Sequence, residues 1–194
     1  EVMAERQITI DGNQYDMNKP FIILATQNPI EQEGTYRLPE AQLDRFLFKI
    51  NLDYPSIDEE TTILANHNAR HGTDEMADVK PILNAANVAE LQQTAKDVEV
   101  ESSIISYIAS LVNQTRNHPM LYLGASPRAS ISILNAAKAK AAISGRDFVI
   151  PEDVKSVAAL ALRHRVVVSP EKEMEGITPD TIVKELIEGT EIPR

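Results

Sequence analysis

The chain has 194 residues, 43% hydrophobic and 25% charged, the balance of a globular protein with one large domain or two small ones. A formal net charge of −10 argues against broad, phosphate-tracking nucleic-acid binding, and the absence of cysteine excludes a disulfide framework, a thiolate metal site and a thiol nucleophile. No apolar run approaches the roughly 20 residues of a membrane span, and the opening "EVMAERQITI" has no apolar signal-peptide stretch, so a cytoplasmic location is expected.

The first predicted element is a hairpin over 6–18. Ile8 and Ile10 alternate with polar residues, and Asp11-Gly12 is a strong turn signal. "PFIILATQNP" follows, an apolar run closed by Asn28-Pro29, which reads as a buried strand of a parallel sheet. A loop leads to a short helix from Pro39 to Arg45 and a second apolar strand, "FLFKINL". Ser56 and Glu59 form a capping box that opens a helix to about Arg70. His67 and His71 stand one helical turn apart, but no Glu follows His67 as in a zinc-protease helix, and His118 and His164 add no ligand pattern. No metal site is expected.

The polar stretch from residue 71 to 86 reads as a linker, and the rest reads as helical. "NVAELQQTAKDV" is a short helix. "ESSIISYIASLVNQTRN" places Ile104, Ile105, Ile108, Leu111 and Val112 on one face. "SPRASISILNAAKAKAAISG" is an alanine-rich helix with Ser126 as cap, Pro127 as first residue and Gly145 as terminator. "PEDVKSVAALALRHR" starts with acids and ends in bases, and Thr178 caps a last helix, "TPDTIVKELIEG". The expected domains are therefore 1–70, an α/β part, and 87–194, a helical bundle. Two strands and a hairpin do not close a stable sheet, and no GxxxxGK[ST] loop occurs. Either further strands lie upstream, or the protein is not a nucleotide enzyme.

Three stretches decide between these. "FIILATQNPIEQEGTYRLPEAQLDRFLFKI" (21–50), "LGASPRASISILNAAKAKAAISGRDFVIPEDV" (123–154) and "ALALRHRV" (159–166) closely resemble the MoxR family of AAA+ ATPases. The resemblance covers nearly the whole chain. It implies the C-terminal part of an AAA+ α/β core with its pre-sensor-1 hairpin, followed by an all-α helical lid. The P-loop and Walker B strands would precede residue 1. One departure is Ile150, where the family usually carries a Thr cap, at a cost of about 1 kcal/mol.

The resemblance also assigns candidate residues. Asn28 ends a predicted strand, where open α/β sheets bind ligands. Its plain reading is an Asn-Pro turn; the family motif makes it sensor 1, in contact with the γ-phosphate and the attacking water. Arg45, in "LDRF", complements a helix C-terminus on the plain reading and is the arginine finger on the family reading, reaching the neighbouring subunit's nucleotide. A finger is worth on the order of 10³–10⁵ in rate. Arg37 is its nearest competitor. Arg128 sits in the first turn of a helix, an end that favours anions rather than cations. A guanidinium there makes sense beside a phosphate, and the position matches sensor 2. Tyr15 and Met17 of the hairpin either face a substrate or pack on the neighbouring sheet. The "RHR" at 163–165 reads first as a dipole complement.

The resemblance implies an ATP- and Mg2+-dependent hexameric ATPase with chaperone-like activity on partner complexes, often with von Willebrand factor A domain partners. The 194 residues alone, without a P-loop, are expected to be inactive. The alternative is a non-catalytic helical module that recruits a partner protein. Nucleic-acid translocation is disfavoured by the acidic composition.

Overall fold

The computed structural model describes residues 2–27, 38–70, 76 and 79–192. A one-turn helix α1 (Val2–Glu5) precedes the hairpin of β1 (Gln7–Ile10) and β2 (Asn13–Asp16). The register pairs Ile8 with Tyr15 and Ile10 with Asn13. Asp11 and Gly12 both take positive φ, 50° and 79°, as the expected two-residue turn demands.

The two predicted strands that follow do not form. Residues 21–27 have no strand partner among the described residues, and Ile22 and Leu24 are 78% and 86% exposed. A strand exists only through its ladder, so apolar sequence alone does not make one. Helix α2 is a single turn (Glu40–Leu43). The "FLFKINL" segment runs as an irregular strap along the helical part. The Lys49 N–H donates to the Leu160 carbonyl at 3.0 Å, and Phe48 packs against the main core. Helix α3 (Ile57–Arg70) opens with the predicted box: the Ser56 N–H meets Glu59 Oε2 at 2.8 Å, and the Glu59 N–H meets Ser56 Oγ at 3.3 Å. Yet α3 buries none of its residues.

The core lies in the helical part. Helix α4 (Ala85–Asp97) begins with a reciprocal cap between Asn84 and Asn87. Helix α5 (Ser102–Arg116) buries Ile104, Ile108, Leu111 and Val112 as its periodicity requires, but Ile105 is 50% exposed and leaves the predicted face. Strand β3 (Leu121–Leu123) leads to α6 (Pro127–Ile143). α6 stops where expected: Gly145 has φ 73°, and the Gly145 and Arg146 N–H groups close on the Ala142 and Ala141 carbonyls. Helix α7 (Pro151–Leu162) ends three residues before the predicted Arg165, in a turn. α6 packs most extensively on α7. Ala129, Ala137 and Ala141 on one and Ala158 and Ala161 on the other are fully buried, because small side chains let the helices approach closely. Strand β4 (Val167–Val168) pairs with β3 antiparallel, and α8 (Pro170–Met174) leads to α9 (Pro179–Gly189), capped by Thr178 as predicted. The β3–β4 pair and α8 are too short to leave a periodic signal.

The missing Thr cap at Ile150 matters less than expected. Asp153 Oδ2 accepts the Ile150 N–H at 3.0 Å, so half of the capping arrangement survives on the other residue's side chain.

Candidate functional site

The loop before α6 is fixed first. Gly124 lies against the last turn of α5, so close that a Cβ would stand 2.5 Å from Arg116 Cα and 2.6 Å from the Thr115 carbonyl oxygen. Fully buried Thr115 then accepts the Ala125 N–H at 2.9 Å, and Arg116 Nε donates to the Ala125 carbonyl at 2.9 Å. These bonds set the angle at which Ser126 and Pro127 start α6. The Ser126 hydroxyl caps the helix by accepting the Arg128 N–H at 3.2 Å.

The same hydroxyl donates to Asp44, with Oδ1 at 3.0 Å and Oδ2 at 2.8 Å. Arg128 places a guanidinium nitrogen 3.7 Å from Asp44 Oδ2 while remaining 54% exposed. A cation in the first turn of a helix is thus answered, in part, by a carboxylate from the "LDRF" segment at that helix end.

Arg165 holds the other side of Asp44. Only 6% exposed, it donates Nε to Asp44 Oδ1 at 3.0 Å, Nη2 to the Asp44 and Phe46 carbonyls at 3.0 and 2.6 Å, and Nη1 to the Leu47 carbonyl at 3.2 Å. The Ala161 carbonyl and Ser132 Oγ complete the shell. Burial pushes the Arg165 guanidinium below its ordinary value, and the hydrogen bond and charge of Asp44 push back. A buried cation costs several kcal/mol unless it is paired and hydrogen-bonded, and here its fork is fully used.

His164 docks the same segment. Its Nε2 lies 3.1 Å from the Phe46 carbonyl, which only accepts, so Nε2 carries the proton and Nδ1 is a bare, buried acceptor. Burial drives the imidazole down to about 4, the Phe46 bond opposes this, and the Arg165 and Lys49 charges reinforce it. His164 is therefore neutral near pH 7. Arg163 turns away to Asp180, at 2.9 Å.

Arg45 sits inside this clamp with its side chain exposed, and no ion pair or side-chain hydrogen bond engages it among the described residues. The structure thus brings Arg128 and the Arg45 segment together through Asp44. Asn28 and Arg37 lie outside the described residues. Tyr15 is 55% exposed on the hairpin, and the Met17 N–H donates to the Arg6 carbonyl at 2.8 Å. Among the described residues, no group of three or more His, Asp or Glu side chains could hold a metal ion. No described helix is long and apolar enough to cross a membrane.

Sequence reasoning missed Asp44 and Arg165. Arg45 drew attention from its neighbour, and "RHR" read as a dipole complement. The available signal was the setting of Arg165, between "ALAL" and "VVV": a charge inside an apolar run needs a partner.

Two family models match the chain. The model of the ATPase family associated with various cellular activities (AAA) matches residues 1–48, and the AAA lid domain matches residues 113–186. The uncharacterised protein YeaC from Bacillus subtilis is 42% identical over 193 residues, covering 100% of this chain and 59% of that protein. The chaperone MoxR1 from Mycobacterium tuberculosis is 40% identical over 203 residues, covering 100% of this chain and 52% of MoxR1. The crystal structure of a candidate ATPase from Cytophaga hutchinsonii superposes with a TM-score of 0.90 at 37% identity, covering 100% of this chain and 60% of that one. The chain spans between 52% and 59% of the length of these two curated relatives.

Proposed function

Because the chain belongs to the MoxR-type AAA+ ATPases, we propose that the whole protein couples ATP binding and hydrolysis to chaperone-like assembly or activation of partner protein complexes. The observation that carries this reading is the Asp44 junction. It supports the reading because Asp44, whose carboxylate lies 3.7 Å from Arg128 at the N-terminus of α6, is followed in the chain by exposed Arg45.

The chain's own residues divide the work as follows. Arg128, half-exposed beside the α6 amide groups, grips the triphosphate of its own subunit. Arg45 projects to the nucleotide of the neighbour in a hexameric ring and stabilises charge on the transferring phosphoryl group. Asn28 orients the attacking water. Exposed Arg128 and Arg45 suit a polyanion, so the described residues fit ATP at its phosphate end. When bound, Mg2+ would neutralise phosphate charge; among the described residues no group of three or more His, Asp or Glu side chains could hold it.

The α/β part over 1–70, the linker over 71–86 and the lid over 87–194 belong to the same reading. So do a cytoplasmic setting and a von Willebrand factor A domain partner. Helix α3 buries nothing, and Ile22, Leu24 and Leu52 are 78%, 86% and 91% exposed. These surfaces suit cover by further elements of an α/β core, in keeping with the greater length of the relatives. The 194 residues alone should then release no phosphate from ATP.

The test is ATP turnover by the full-length protein, wild type against Arg45→Ala. A large loss with nucleotide binding retained supports the reading. Absence of ATP hydrolysis in the wild-type protein would return the chain to a helical module that recruits a partner.

A further inference from the structure

Arg165 is more deeply invested in the Arg45 segment than a lid residue needs to be for lid stability. Its guanidinium takes the carbonyls of Asp44, Phe46 and Leu47 and the Asp44 carboxylate, at 2.6 to 3.2 Å. Two of those carbonyls bracket Arg45. The remaining bonds go to the Ala161 carbonyl at the end of α7 and to Ser132 on α6. One planar group therefore ties the backbone on both sides of Arg45 to the two most closely packed helices of the lid. The His164–Phe46 bond at 3.1 Å and the Lys49–Leu160 bond at 3.0 Å continue the seam. Arg45 itself is exposed, and among the described residues only backbone bonds hold it, its N–H donating to the Gln42 carbonyl at 3.1 Å.

We infer that Arg165 is the positioning residue for Arg45: the lid sets the direction of the arginine that serves the neighbouring subunit. The inference rests on the finger reading of Arg45 and goes beyond it. Asp44 makes the link two-sided. Its carboxylate is shared between Arg165 and Ser126, and Arg128 stands 3.7 Å away. When Arg128 is drawn to a phosphate, the N-terminus of α6 moves with it, and through Ser126, Asp44 and Arg165 the Arg45 backbone must follow or lose its bonds. Occupancy of one nucleotide site thus reaches the next site through side chains of a single subunit. A guanidinium is required because an ammonium has three donors and the Arg45 segment alone offers four acceptors.

A merely structural Arg165 would damage its own subunit; a positioning Arg165 damages the neighbour. The experiment uses assembled rings of the full-length protein. Arg165→Lys keeps the charge beside Asp44 and loses the fork. In pure rings it should lower kcat by about 10- to 100-fold, the scale of a displaced catalytic group, with ATP affinity unchanged. Mixed with subunits whose own nucleotide site is disabled but whose Arg45 and Arg165 are intact, the Arg165→Lys subunits should regain turnover, because their fingers now come from intact neighbours. If Arg165→Lys rings do not assemble, Asp44→Asn, which keeps size and an acceptor oxygen, decides in the same mixture. Unchanged kcat, or a loss that mixing does not relieve, overturns the inference. Arg45→Ala is run alongside: if it too leaves turnover intact, the finger reading itself has failed. If it alone is relieved by mixing, only the positioning role of Arg165 has.

Discussion

Gly124 and Arg116 touch backbone to backbone: a Cβ on Gly124 would lie 2.5 Å from Arg116 Cα and 2.7 Å from its nitrogen. Nothing at this contact is a flexible side-chain end, so a methyl group can enter only if α5 or the 124–126 loop shifts. The same loop carries the Thr115–Ala125 bond and the Ser126 cap. Gly124→Ala should destabilise the protein by about 1–3 kcal/mol, the usual cost of overpacking. The check is chemical denaturation against Gly189→Ala, where a Cβ meets nothing within 4 Å and the change should be neutral or slightly stabilising.

Asp153 is 3% exposed and paired bidentately with Arg146, at 2.6 and 2.7 Å, while also accepting the Ile150 N–H. Burial raises its carboxyl, but the Arg146 and Ile150 hydrogen bonds and the Arg146 and Lys140 charges outweigh burial and hold it below the usual 3.8. A depressed carboxylate stabilises the fold above its unfolded value and ceases to do so as pH falls through its folded value. Asp153→Asn should lower stability near pH 7, measured by urea unfolding. The deficit relative to wild type should shrink below pH 4. A deficit constant with pH would place the loss in packing rather than in charge.

What was legible in the sequence was local. Asp11-Gly12, the Ser56–Glu59 box, the Ser126 and Thr178 caps and the Gly145 stop act within a few residues, and each appears in the structure. The 3.6-residue period found Ile104, Ile108, Leu111 and Val112 on the inner face of α5, but it missed buried Tyr107 and wrongly included Ile105, which is 50% exposed. That 21–27 and 46–52 form no strands was not legible, because a strand is completed by its neighbour. No described residue pairs with the first, and the lid takes the hydrogen bonds of the second. The candidate site was half-legible for the same reason. Motifs pointed to Arg45 and Arg128, but the Asp44–Arg165 bond joins residues 121 apart, and spacing carries no record of it.

His164 gives the seam between strap and lid a pH dependence. Its neighbours are Arg165 and Lys49, which resist protonation, Asp44, which favours it, and the Phe46 carbonyl. The folded imidazole titrates at about 4, against 6.5 when unfolded. Between these values the unfolded chain binds more protons, so stability falls as pH drops from about 6.5 toward 4 and then levels. His164→Gln removes this titration and should flatten the stability–pH curve in that window. An unchanged slope in the variant would assign the acid sensitivity to other groups.

Arg128 is expected to matter for nucleotide and hardly at all for folding. Its Asp44 contact is 3.7 Å long and its side chain 54% exposed, and such pairs contribute at most about 1 kcal/mol. Removing a cation from the first turn of α6 also relieves an unfavourable interaction with the helix dipole. Arg128→Ala should therefore leave the unfolding midpoint nearly unchanged. A charge-assisted bond to phosphate is worth about 1.5–3 kcal/mol, or roughly 10- to 100-fold in affinity. On the proposed role the loss falls on ATP more than on ADP, because the terminal phosphate is the group Arg128 reaches when the lid closes. Arg128→Lys should recover only part, since a point charge lacks the two-pronged grip. Nucleotide titrations of the full-length protein, with a distance probe between the lid and the α/β part, measure both effects together. Equal ATP affinity and equal closure in wild type and Arg128→Ala would leave Arg128 as a surface partner of Asp44 and nothing more.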